Sequence, residues 1–133
     1  MTSTSRRPVH LDLLKIRLPI GGIMSIIHRA TGVFMFLALP YLIFLLDLSL
    51  SGPEGYAEAS TAVHGVPGIL FVFLLMWSLI HHLLAGIRYL LIDVDLGVEK
   101  TMARQTALAV VIAGPILGLL LKGGGLVVPR VLD

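Results

Sequence analysis

Three long apolar segments divide the chain, and shorter polar stretches separate them. The predicted membrane spans cover about residues 22–48, 67–92 and 105–128. Each segment is long enough to cross a bilayer core, which needs about 20 predominantly apolar residues in a helix. The third is the weakest, since Pro115 and several glycines interrupt it. The pattern predicts an all-α membrane protein with three transmembrane helices, forming a single domain over residues 1–133.

The segments outside the predicted spans differ in character. Residues 1–21 form a polar to amphipathic lead that is too charged and too short to cross a membrane, so we expect it to lie at the membrane surface. Pro19 marks the break before the first apolar segment. Residues 49–66 read as a loop with a turn signal at Gly52 and Pro53, followed by a short amphipathic piece.

Composition narrows the class of protein. Hydrophobic residues make up 56% of the chain and charged residues only 14%, which indicates a membrane protein with lipid as its surroundings. The absence of cysteine excludes disulfides and iron–sulfur ligation within this chain. A net charge of +2, without a basic run, gives no support to nucleic acid as a partner.

The distribution of Lys and Arg predicts the orientation. The N-terminal segment carries four of these residues, the first loop carries none, and the second connection contains Lys100 and Arg104. Because cytoplasmic loops are enriched in Lys and Arg, we expect the N-terminus and the second connection on the cytoplasmic side and the C-terminus outside.

Two adjacent histidines, His81 and His82, lie inside the second apolar segment. Successive helical residues are about 100° apart, so the two imidazoles point to different sides. Ser78 and Gly86 stand one turn before and after His82, which leaves room for a flat group beside it. Burying an ionisable residue in a membrane is costly, so His82 is a candidate functional residue. The alternative is a histidine that only hydrogen-bonds to a neighbouring helix.

The topology brings the start of the first span and the end of the second to the same side. We therefore expect one membrane level to hold the polar groups of both: Ser25, His28, Arg29, Arg88, Tyr89 and Asp93. His82 lies about 9 Å deeper than Arg88, at a rise of about 1.5 Å per residue. This arrangement suits haem: the deep imidazole of His82 would bind the iron, and the His, Arg and Tyr side chains nearer the surface would bind the propionates. Alternatively, the arginines only anchor the helices at the interface.

A haem with two protein ligands requires a second one, and this chain offers none in a suitable place. His28 is expected near the wrong level, His81 on the wrong face and His64 at the far surface. We therefore expect the second ligand from another polypeptide, which would also complete a bundle that three helices alone leave thin.

Four short segments carry a family resemblance. They read R-P-V-H-L-D-L at residues 7–13, S-I-I-H-R-A-T-G at 25–32, S-G-P-E-G at 51–55 and H-L-L-A-G-I-R-Y-L-L-I-D at 82–93. Together they closely resemble the cytochrome b556 membrane-anchor subunits of succinate dehydrogenase, respiratory complex II. The resemblance covers about residues 6–100, and paired motifs at this spacing are highly specific.

The resemblance implies a haem site. His82 matches the axial ligand of haem b, whose other ligand would come from a second membrane-anchor subunit. His28 and Arg29 match groups near the haem propionates. Tyr89 stands where many relatives have a histidine, and its hydroxyl can still donate to a propionate.

The resemblance also implies a quinone site and an assembly. Ser25 and Arg29 match residues at the ubiquinone pocket, and Asp93 matches an acidic residue near the quinone end. Such subunits hold an iron–sulfur subunit and a flavoprotein subunit on the cytoplasmic face. The expected location is a bacterial inner membrane, in preference to a mitochondrial one, where the same face would be the matrix side.

These implications predict a haem- and quinone-binding anchor of succinate:quinone oxidoreductase that carries no complete active site of its own. The nearest alternative is a fumarate reductase anchor of the same architecture. An alternative of another class is a haem-free anchoring or transport subunit, in which the intramembrane His and Arg serve ion movement or assembly.

Overall fold

A computed structural model describes residues 17–123, with side chains to residue 120, and this part of the chain consists of four α-helices. Their bounds are α1 Ile20–Leu50, α2 Pro53–His64, α3 Val66–Asp93 and α4 Lys100–Gly123. Three of them, α1, α3 and α4, are long and apolar enough to cross a membrane. The predicted all-α membrane fold is thus confirmed for the described part of the chain.

The helices extend beyond the predicted spans. Both α1 and α3 enclose their predicted segments with a residue or two to spare at each end. By contrast, α4 begins at Lys100 instead of residue 105, because the polar turn after α3 is shorter than expected. Residues 124–128 of the predicted third span lie outside the described part, as do residues 1–16 of the predicted lead.

The turns follow from Gly and Pro. Gly52 adopts φ 134°, a conformation that side-chain-bearing residues rarely reach, and the chain then enters α2 at Pro53. The region expected to be mostly loop is therefore largely this 12-residue helix. The turn between α3 and α4 uses positive φ at Asp95, 61°, and at Gly97, 75°. The connection through α2 and the turn before α4 make α3 antiparallel to both α1 and α4.

The three long helices form a bundle with α3 in contact with both α1 and α4. Near the cytoplasmic end predicted above, Met24, Ala85 and Ala107, one from each helix, form a buried cluster. Partly buried side chains pack around it: Ile20, Tyr89, Val110 and Val111. At the other end, α2 packs across α1 and α3. Small residues at the centre allow the helices to approach closely, as is usual in membrane bundles.

Most of the apolar surface of α1 faces outward. Its buried residues are Met24, Thr31 and Ala38, spaced seven apart, so only one narrow stripe meets the other helices. Large apolar side chains elsewhere on α1 are exposed, for example Phe36 at 70% and Leu37 at 67%. Such exposure would be costly in water, whereas lipid or another membrane helix covers it without penalty.

Candidate functional site

The candidate site begins where α1 and α3 cross, at Gly32 and His82. A Cβ added to Gly32 would lie 2.9 Å from Cε1 and 3.4 Å from Nδ1 of His82. The shorter distance is below any ordinary van der Waals contact, so the imidazole lies directly on the glycine backbone. Gly32 therefore permits the close approach of the two helices at the level of His82.

One ring nitrogen of His82, Nδ1, is hydrogen-bonded to α1. Its Nδ1 lies 3.0 Å from the carbonyl oxygen of His28 and 3.4 Å from Oγ1 of Thr31. The Thr31 hydroxyl donates to that same carbonyl at 2.9 Å. Because a carbonyl can only accept, Nδ1 of His82 carries a proton, and in the neutral imidazole Nε2 is then the nitrogen with the lone pair. Within the described residues, Nε2 makes no hydrogen bond, so it is available to an external ligand.

A column of rings extends from His82 along the α1–α3 interface. The imidazole of His28 stacks on that of His82, with centroids 4.0 Å apart and planes at 17°. The ring of Tyr89 meets His28 edge-on at 5.3 Å. His28 was expected at the level of Arg88 and Tyr89. Its contact with Tyr89 agrees with that level, and its stacking on His82 shows that the ring also reaches the depth of His82.

Tyr89 brings a buried polar atom to this column. Its ring packs against the Met24, Ala85 and Ala107 cluster, and its hydroxyl oxygen is buried without a hydrogen-bond partner among the described residues. Buried hydroxyls are almost always paired, so the Tyr89 hydroxyl is a candidate donor to a bound group.

His81 lies on another side of α3, as the helical angle predicts. It is 1% exposed and faces α4, where a Cβ added to Gly114 would lie 3.3 Å from the His81 Cβ. The same added Cβ would lie 3.3 Å from Nε1 of Trp77. Nε2 of His81 is buried and without a partner within residues 17–120. The two adjacent histidines therefore pack against glycines of two different helices, His81 against Gly114 of α4 and His82 against Gly32 of α1.

The predicted quinone residues are only partly brought together. Ser25 and Arg29 lie one turn apart, and Nε of Arg29 donates to the Ser25 carbonyl at 3.3 Å. Arg29 is exposed and Ser25 is partly buried, so both can be reached from outside the bundle. Asp93, the last residue of α3, is exposed and makes no hydrogen bond with either residue in the described structure.

Arg88 makes its hydrogen bonds to α4. Its Nε donates to Oγ1 of Thr106 at 3.0 Å, and its Nη2 donates to the carbonyl of Ala103 at 2.9 Å. These bonds tie α3 to the first turns of α4. The Arg88 guanidinium carbon also lies 5.9 Å from the centroid of the Tyr89 ring, whose edge meets His28. Tyr89 therefore contacts both of the other residues expected nearer the surface, while the hydrogen bonds of Arg88 go to α4.

Two residues that hold His82 in place were not among the predicted site residues. Thr31 is 2% exposed and supports the hydrogen bond of His82, and Gly32 gives its ring room. Gly86, expected to make room beside His82, lies instead next to His28, whose Nε2 would be 3.9 Å from an added Cβ. A small pair, Thr31–Gly32, one turn after an intramembrane histidine was a usable signal, since small residues mark close helix contacts.

Fold and site together define a multi-pass membrane protein with an intramembrane histidine whose Nε2 makes no hydrogen bond within the described residues. The succinate dehydrogenase/fumarate reductase transmembrane subunit family matches residues 3–121. The succinate dehydrogenase cytochrome b556 subunit of Paracoccus denitrificans is 31% identical over 114 residues, covering 86% of this chain and 88% of that one. The b556 subunit of Coxiella burnetii is 31% identical over 119 residues, covering 83% and 95%. The cytochrome b560 subunit of Reclinomonas americana is 33% identical over 98 residues, covering 70% and 68%.

The chain therefore belongs to the succinate dehydrogenase/fumarate reductase transmembrane subunit family. It is a transmembrane anchor subunit of that family, and the resemblance drawn from its motifs is confirmed.

Proposed function

We propose that this chain binds haem b through Nε2 of His82, as the membrane-anchor subunit of a succinate:quinone oxidoreductase. The observation that carries the proposal is the hydrogen bond from Nδ1 of His82 to the His28 carbonyl. Metal-binding histidines usually donate their other ring N–H to a carbonyl or carboxylate, which fixes the tautomer and the ring orientation. The cytochrome b names of the relatives support haem as the group.

The other residues of the site fit haem better than a bare metal ion. Among the described residues, no group of three or more His, Cys, Asp or Glu could hold a metal ion. A single imidazole suits an iron that brings four ring nitrogens of its own. The unpaired hydroxyl of Tyr89 and the neighbouring ring of His28 could bind propionates, with the Arg29 guanidinium close by on α1.

Bound haem b would supply a one-electron redox centre in the membrane. This chain's own residues would hold the ring and fix its axial ligand. We propose that a second membrane-anchor subunit provides the other axial ligand. The narrow buried stripe of α1 supports this, because it leaves most of that helix open to another membrane helix.

We further propose that Ser25 and Arg29 bind ubiquinone, with Asp93 near the same end. A quinone headgroup offers two carbonyl acceptors, and a hydroxyl and a guanidinium are both donors. Reduction of the quinone consumes two electrons and two protons, and Arg29 would stabilise negative charge on the quinone oxygen. Both residues are accessible from outside the bundle, at the end where iron–sulfur and flavoprotein subunits would dock. The membrane would be a bacterial inner membrane, with the N-terminus cytoplasmic.

The test of the haem proposal is a reduced-minus-oxidised absorption spectrum of the purified complex. His82→Ala should abolish or shift the haem band, because no ligand remains at that position. His64→Ala, at the exposed end of α2, is the matched control and should leave the band unchanged. A normal band in His82→Ala, and also in a variant lacking both His81 and His82, would overturn the assignment.

The same spectrum separates the haem proposal from a haem-free anchoring or transport subunit, which would show no band. A fumarate reductase anchor is the second candidate, because the matched family includes both kinds of complex. Comparing succinate oxidation with fumarate reduction in the assembled complex distinguishes the two directions.

A further inference from the structure

A basic cleft lies at the predicted cytoplasmic end of the bundle. It has a volume of about 530 Å³ and is formed where the start of α1, the end of α3 and the start of α4 meet. Its cations are Arg88, Lys100 and Arg104, and Leu18, Pro19 and Ile20 form an apolar wall. None of the residues proposed for haem or quinone lines it.

The charge of this cleft is not neutralised within the described part of the chain. Arg88 donates to Thr106 and Ala103, which are neutral acceptors, and its guanidinium carbon lies 5.9 Å from the centroid of the Tyr89 ring, which is also uncharged. A guanidinium has five N–H donors, so three of those of Arg88 remain for another acceptor. Lys100 and Arg104 are exposed. No ion pair joins any of the three cations to another residue of the range 17–120, although acidic residues occur in the adjoining turn.

The level of the cations points to the membrane interface. Arg88 lies five residues before the end of α3, which is about 7.5 Å along a helix. Lys100 is the first residue of α4, and Arg104 follows one turn later. All three therefore lie near the ends of membrane-crossing helices, on the side rich in Lys and Arg, where lipid headgroups are found.

We propose that this cleft, hereafter the α1–α3–α4 cleft, binds the phosphate headgroup of an anionic phospholipid. The phosphate oxygens would accept from Arg88, Lys100 and Arg104, since guanidinium and ammonium groups are both good phosphate donors. The apolar wall of Leu18, Pro19 and Ile20 would contact the start of the acyl chains. A free inorganic phosphate could use the cations but not this wall, which favours a lipid.

The test uses the assembled complex, stripped of lipid by detergent and titrated with phosphatidylglycerol or phosphatidylcholine of identical acyl chains. Bound lipid is counted by native mass spectrometry. The unaltered complex should bind phosphatidylglycerol on the order of 100-fold more tightly, since three cations contribute about fivefold each. Each cation removed should reduce that preference about fivefold, because one Lys or Arg near an anionic headgroup contributes about that factor.

Lys100→Gln and Arg104→Gln are the variants of choice, because both side chains are exposed and make no hydrogen bond to a described residue. Together they should reduce the preference about 25-fold. Lys122→Gln, near the other end of α4, is the charge-matched control and should change nothing. Heat stability of the complex without added lipid should be equal in all variants, so a folding defect would be recognised.

Three results would overturn the proposal. The first is an unchanged preference in the double variant. The second is displacement of the lipid by inorganic phosphate at equal concentration, which would make this a site for a free anion. The third is specific binding to the isolated chain but none to the assembled complex, which would show that another subunit covers the cleft.

Discussion

Gly32→Ala tests the contact on which the proposed haem site rests. The added Cβ would lie 2.9 Å from Cε1 of His82, so the imidazole must retreat by about 0.5 Å to reach the 3.4 Å at which ordinary contact begins. It cannot do so freely, because His28 stacks on one side of the ring and the His28 carbonyl holds Nδ1 at 3.0 Å.

Overpacking of this kind costs about 1–3 kcal/mol. If that cost falls on the form of the site that holds haem, haem affinity should decrease about 5- to 150-fold. The measurements are the haem content of the purified complex, the absorption maximum of the reduced band and the midpoint potential. We expect reduced haem content, and a shifted potential in the fraction that retains haem, because the axial imidazole is displaced.

Gly86→Ala and Gly21→Ala are matched controls. An added Cβ at Gly86 would have its nearest neighbour at 3.9 Å, and at Gly21 it would meet nothing within 4 Å. Both controls also raise helix propensity by about 1 kcal/mol, as Gly32→Ala does, so that effect cancels in the comparison. Haem content and potential in Gly32→Ala equal to those of the two controls would refute the argument that Gly32 sets the position of His82.

Other predictions concern the quinone residues and the orientation. Ser25→Ala should weaken quinone binding several-fold, since a hydrogen bond to a neutral group contributes about 1 kcal/mol, while the haem spectrum stays unchanged. Arg29→Leu should weaken quinone binding more than Ser25→Ala does, because it removes a charged donor. Succinate oxidation with an artificial electron acceptor should stay near normal in both variants. If both variants reduced quinone at the unaltered rate, the quinone would have to bind at a site other than Ser25 and Arg29. Reporter fusions near Ser60 and at the C-terminus should read as external, and a cytoplasmic C-terminus would mean that α4 does not cross the membrane.

The relative positions of residues within one helix could be predicted from the sequence. The separate faces of His81 and His82, and the shared face of Ser25 and Arg29, follow from 100° per residue and 1.5 Å per residue. The long apolar segments and Pro19 likewise fixed α1 and α3 to within about two residues, because membrane helices require length and hydrophobicity above all.

Relations between helices could not be predicted in the same way. The turn lengths place the helix ends on the correct sides, but they do not set how far α1 is displaced along α3. That displacement depends on which small residues meet, here Gly32 against His82. His28 was consequently expected beside Tyr89 but not against His82. The bonds of Arg88 to α4 were not predicted for a related reason, since its acceptors there are a backbone carbonyl and a hydroxyl that carry no sequence signal of a partner.

The paired contacts of α3 make the site sensitive to a helix that does not belong to it. His81 and Trp77 press on Gly114 of α4 from one side of α3, while His82 presses on Gly32 of α1 from another. A larger residue at Gly114 would meet His81 and Trp77 at 3.3 Å, so these side chains, or α3 with them, must shift by a few tenths of an ångström. A shift of α3 would also move the adjacent His82. Sequence changes in α4, which supplies none of the residues proposed for haem, would thus be able to alter the potential of the proposed haem.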